Sequence, residues 1–123
     1  MYPRVCFWNI NGRIHLLRSA FIVNWLVTNF DIVFISETHL TKGQKFEIKD
    51  FSAVHNPYSS VDDLKARGGV SCFIKITHMK HIAYVDTSVS ENVIIRFKNG
   101  DVILVRTFLL PIQLIITSLT LVT

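Results

Sequence analysis

Asp31–Ile35 reads DIVFI, four β-branched or aromatic residues bounded by Asp31 and Ser36. A short apolar run without alternation is the pattern of a strand buried on both faces. Working outward, Ile14–Phe30 places Leu17, Phe21 and Trp25 four residues apart, with Leu16, Ala20, Val23 and Val27 on an adjoining stripe. His15, Arg18 and Asn24 take the polar positions, and the period predicts one long helix. Before it, Arg4–Trp8 (RVCFW) is a short strand closed by the turn residues Asn9–Gly12. Strand, helix and strand in that order predict a parallel βαβ unit and an α/β fold.

Downstream, Ser36–Asp50 is a polar connection, Phe51–His55 a short strand, and Asn56–Arg67 a loop rich in Pro, Ser and Asp. Four β-rich runs follow: Gly69–Ile76, His81–Asp86, Val93–Lys98 and Val102–Leu109. They are expected to form an antiparallel meander. Asn99-Gly100 between the last two predicts a tight I′ hairpin, because both residues accept positive φ.

The 123 residues suffice for one domain, and 50% apolar against 18% charged residues exclude intrinsic disorder. The mean hydropathy is +0.37. The formal charge of +4 comes from basic residues spread along the chain, so charge alone marks no nucleic-acid footprint. Cys6 and Cys72 sit in strand-like runs, and the opening MYPRVCFWN lacks the apolar core of a signal peptide. Buried thiols in an intracellular protein, nuclear or cytoplasmic, are expected. Thr107–Thr123 carries no charge, but Pro111, Gln113 and several Ser/Thr interrupt it. It falls short of the roughly 18–20 apolar residues of a spanning helix, so no membrane span is expected.

Parallel strands joined by a helical crossover end on the same sheet edge, and ligands of open α/β sheets bind outside those carboxyl ends. Asn9 and Glu37 close the two strands. Both offer oxygen, suited to a hard cation such as Mg²⁺. The competing reading gives Asn9 a turn role and lets Glu37 open a polar loop or cap a turn.

Three motifs carry a family resemblance: WNINGR at Trp8–Arg13, SETHL at Ser36–Leu40 and RGGVSCFIK at Arg67–Lys75, with NGDVILV following. In order and spacing they resemble the N-terminal part of the endonuclease/exonuclease/phosphatase superfamily, above all the apurinic-type endonuclease domain of non-LTR (LINE-type) retrotransposons. The match spans about Arg4–Pro111. The resemblance implies a metal-dependent phosphodiesterase acting on DNA, with Mg²⁺ or Mn²⁺ as cofactor. It makes Glu37 the metal-binding glutamate and Asn9 the asparagine that orients the site, both in the catalytic and metal set. Asn11, Gly12, Gly68 and Gly69 answer to backbone requirements, and His39 of the ETHL motif is expected to serve the loop rather than the chemistry.

The family's phosphate-binding Tyr falls at Phe108, and the chain contains neither an Asp-x-Asn nor a Ser-Asp-His segment. The other histidines, His15, His55, His78 and His81, match nothing catalytic. Residues 1–111 are therefore read as the N-terminal part of such a domain, catalytically incomplete by itself, and residues 112–123 as an apolar tail outside the resemblance. The expected architecture is a truncated α/β sandwich: a mixed sheet with one long helix on one face and much of the opposing layer absent. Self-association through the exposed sheet face or edges follows from it. The alternatives are a non-catalytic binding or structural remnant, and a phosphatase branch of the same superfamily.

Overall fold

The computed structural model describes residues 3–41, 43–57, 68–89, 92–106 and 113–118. The strands are β1 (Arg4–Asn9), β2 (Ile32–Ser36), β3 (Phe51–Asn56), β4 (Val70–Lys75), β5 (Ile82–Asp86), β6 (Asn92–Phe97), β7 (Val102–Arg106) and β8 (Gln113–Ser118). A helix, α1 (Ala20–Asn29), lies between β1 and β2. One sheet has the order β3-β4-β2-β1-β8, the other β5-β6-β7.

The DIVFI reading holds: every residue of β2 is buried. Its side chains alternate between two cores, as the period of two requires. Ile32 and Phe34 join Val5, Val70, Cys72 and Ile74 from the same sheet, together with Ile82, Val93, Ile95, Ile103 and Val105 from the second sheet. Val33 and Ile35 join Cys6, Leu17, Leu26, Phe30 and Phe73 on the helix side. The layers are thus helix, five-stranded sheet, three-stranded sheet. β1 and β2 are parallel, β2 and β4 antiparallel, so the first sheet is mixed as expected.

Four expectations need correction. The long helix is broken: Ile14–Arg18 is a 3₁₀ turn, and α1 starts afresh with Ser19, whose hydroxyl accepts a bond from the Ile22 amide at 3.4 Å. The break resets the helical phase, so Phe21 and Trp25 do not continue the Leu17 stripe. Phe21 is 82% exposed, and Leu26 and Phe30 face the core instead. α1 is apolar nearly all round (AFIVNWLVTN), so periodicity could not choose its buried side.

The four downstream runs do not form one meander. The first becomes β4 and inserts between β2 and β3, while only β5, β6 and β7 form the meander. That meander covers the sheet face opposite α1, which is therefore not bare. Finally, Asn99-Gly100 is not a I′ turn. Gly100 alone has positive φ (99°), its amide donates to the Phe97 carbonyl at 3.0 Å, and Asn99 Oδ1 accepts from the Asp101 amide at 2.9 Å. That pattern is a type I turn followed by a left-handed glycine.

The thiols are buried and free, Cys6 on the helix side and Cys72 between the sheets. With β2 between their strands they stand about 9.5 Å apart across the sheet, too far for a disulfide. Burial pushes Cys6 up to about 12 and Cys72 further up, so neither is a thiolate near neutral pH. No helix among the described residues is long and apolar enough to cross a membrane. The backbone of 113–118, in the tail, pairs with β1 as an edge strand, Arg4 opposite Ser118 and Asn9 opposite Gln113.

Candidate functional site

The three motifs meet at one edge of the five-stranded sheet. Asn9 pairs with Ser36, and Ser36 with Val70, so the ends of β1 and β2 and the start of β4 stand in one row. Beyond that row the backbone bonding continues. Ile10 donates to the Ser36 carbonyl at 3.0 Å and Gly12 to that of Glu37 at 2.6 Å. Thr38 and His39 donate to the carbonyls of Gly69 and Gly68 at 3.4 and 2.9 Å. WNINGR, SETHL and the Gly68–Val70 part of the third motif are therefore one hydrogen-bonded unit rather than three loops.

Local conformation explains the residue types. Asn11 and Gly12 have φ of 49° and 76°, and Arg13 donates to the Ile10 carbonyl at 3.0 Å. This is the I′ geometry expected at the other Asn-Gly pair. Asn9 Oδ1 accepts from the Asn11 amide at 3.0 Å, so Asn9 does build this turn. A Cβ on Gly12 would run into the His39 imidazole, so glycine is demanded here by sterics as well as by φ.

Glu37 is 5% exposed and sits at φ 55°, as does His39. Two left-handed residues separated by the buried Thr38 bring the carboxylate and imidazole together, His39 Nε2 to Glu37 Oε2 at 2.9 Å. Glu37 Oε1 is buried and has no hydrogen-bond partner among the described residues. A buried acceptor left unmatched costs about 1–3 kcal/mol, more when charged, unless something completes it. An oxygen-seeking cation would complete it, and the fit rests on that oxygen. Among the described residues no third His, Cys, Asp or Glu adds to a metal-holding group.

His39, read from the sequence as a loop residue, has its imidazole against the Glu37 carboxylate. Its signal was the Glu-x-His spacing facing an obligatory glycine, which only the left-handed backbone converts into a contact. Phe108 lies outside the described residues. His55 is accounted for structurally: its Nδ1 lies 2.6 Å from Ser71 Oγ and its Nε2 3.0 Å from the Phe46 carbonyl oxygen. Burial lowers its pKa, opposed by the Phe46 backbone bond. Ser71 is fully buried, so the pair is a clamp, not an exposed nucleophile. An open groove of about 740 Å³ runs past Lys45, Phe46, Lys49 and His55, and neither Asn9 nor Glu37 lines it.

Asn56 anchors this same edge to the second sheet. Its amide nitrogen lies 3.3, 2.7 and 2.6 Å from the carbonyl oxygens of Thr87, Val89 and Asn92. No known family model matches the chain, and no curated protein matches it.

Proposed function

We propose that this chain supplies the metal-holding half of a metal-dependent phosphodiesterase site of the endonuclease/exonuclease/phosphatase type, with DNA as its substrate class. The observation that supports the reading is the buried Glu37 carboxylate with one unpartnered oxygen, held at the carboxyl ends of two parallel strands by all three resemblance motifs. Glu37 would hold Mg²⁺ or Mn²⁺, and Asn9 would fix the turn that shapes the rim of the site. The chemistry supplied by a bound divalent cation is polarisation of a phosphodiester and stabilisation of the leaving oxygen. The sequence has no Asp-x-Asn or Ser-Asp-His segment to provide a water-activating carboxylate. The chain by itself is therefore proposed to bind the cation with little or no turnover, since general-base catalysis alone contributes about 10²–10⁴-fold.

A second reading, the structural remnant, is favoured by one observation: Asn9 Oδ1 is spent on its own turn and Glu37 Oε2 on His39. Calorimetric titration of the purified chain with Mn²⁺ decides between them. Saturable binding lost in Glu37→Gln supports the metal-holding reading, and no binding leaves the remnant. Incubation with supercoiled or abasic DNA and Mg²⁺ tests the incompleteness. Strong EDTA-sensitive nicking abolished by Glu37→Gln would refute it.

A further inference from the structure

The side chain of His39 is more constrained than a loop histidine needs to be. Its amide is tied to the Gly68 carbonyl at 2.9 Å and its backbone holds φ 55°. Its ring packs so closely on Gly12 that no larger residue fits beneath it, yet the ring is still 33% exposed. The one side-chain polar contact it makes among the described residues is with Glu37 Oε2, at 2.9 Å. Two buried oxygens of one carboxylate are thus treated differently. One is paired with the imidazole nitrogen, and the other has no partner among the described residues.

We propose that His39 is a positioning residue for the Glu37 carboxylate: Nε2–H donates to Oε2, stops rotation of the carboxylate about its terminal torsion, and leaves Oε1 as the single oxygen offered to a divalent cation. This rests on the metal-holding reading of Glu37. The terminal torsion of glutamate is broad and roughly two-fold, so packing alone defines it poorly and a directional bond to one oxygen removes the ambiguity. A second partner behind a metal-holding group commonly sets its orientation and basicity, and its loss typically costs 10–100-fold in metal affinity. Donation from Nε2 requires the proton on that nitrogen. The proposal therefore also specifies a tautomer, with Nε2 protonated and Nδ1 on the Gly12 side.

The test uses the full chain, with Mn²⁺ as the probe, in the wild type, His39→Ala, His39→Gln and Glu37→Gln. Wild type is expected to bind, Glu37→Gln to lose binding, and His39→Ala to bind roughly 10–100-fold more weakly. His39→Gln should recover part of that loss, because its side-chain amide can donate where alanine cannot. Nitrogen-15 NMR of the metal-free imidazole should find Nε2 protonated. Equal Mn²⁺ affinity in wild type and His39→Ala overturns the proposal while leaving the metal-holding reading intact, and so does an unprotonated Nε2. A wild type that binds no Mn²⁺, or a Glu37→Gln that binds as well as wild type, overturns both. Should His39→Ala fail to fold, His39→Gln and the tautomer decide.

Discussion

The two ends of β2 each carry a buried acid, and they are treated in opposite ways. At the amino end, Asp31 is surrounded. The Arg4 amide donates to Oδ2 at 2.9 Å, the Arg4 guanidinium reaches Oδ1 at 3.2 Å, and Lys75 Nζ and His78 Nε2 stand at 3.6 and 3.7 Å. Burial raises the Asp31 pKa, but the bonds from Arg4 and the charges of His78 and Arg4 outweigh it and hold the carboxyl below its usual range. At the carboxyl end, Glu37 has, among the described residues, one side-chain partner and one oxygen without any. Both carboxylates are buried at an end of the same strand. An acid whose every lone pair is matched ties elements together, whereas an acid left half-matched on a rigid edge is poised for something brought from outside.

The comparison breaks most easily at Glu37. Glu37→Gln should abolish Mn²⁺ binding, a loss of at least about 100-fold, while changing stability by less than about 1 kcal/mol, since Oε1 has no partner to lose. Parallel calorimetric titration and urea unfolding check both halves. Gly12→Ala comes next. Forcing a Cβ into left-handed φ and against the His39 ring should cost roughly 2–4 kcal/mol in urea unfolding. Asp31→Asn should show the converse of the glutamate variant, about 1–2 kcal/mol less stable with Mn²⁺ affinity unchanged. The smallest effect is on pH. Because the folded Asp31 pKa is depressed, its contribution is fully present above the ordinary carboxylate value of about 3.9 and is lost as pH falls through the lower native value. Thermal melts between pH 5 and pH 2 should therefore fall less steeply for Asp31→Asn than for wild type.

The Glu37 end of β2 was legible in the sequence as a place to look, while the ion pairs at Asp31 were not. DIVFI announces a doubly buried strand, and the residues at the ends of the first two strands mark the edge to examine. The Glu–His contact was not legible, because it depends on φ 55° at both Glu37 and His39, a conformation uncommon for any residue but glycine and unmarked in the sequence. The helix break at Ser19 was hidden for a different reason. Apolar residues surround α1, so a phase shift leaves the pattern looking continuous. The placement of β4 between β2 and β3 was hidden because runs buried on both faces read alike wherever they sit in a sheet. The second sheet's role as a cover was hidden likewise, since a strand's sequence fixes its buried face and not the sheet that will bury it.

The pairing of β1 with β8 sets a timetable. Arg4 finds its partner in Ser118, far along the chain, so one flank of β1 has no neighbour until that distant segment arrives. Closing that pair is the longest-range event in the sheet and the slowest kind of contact to form. Until it closes, the growing chain presents the bare backbone of RVCFWN, an apolar segment capable of pairing with another copy of itself. The period before 113–118 docks on β1 is thus when this sheet is most exposed to misassembly.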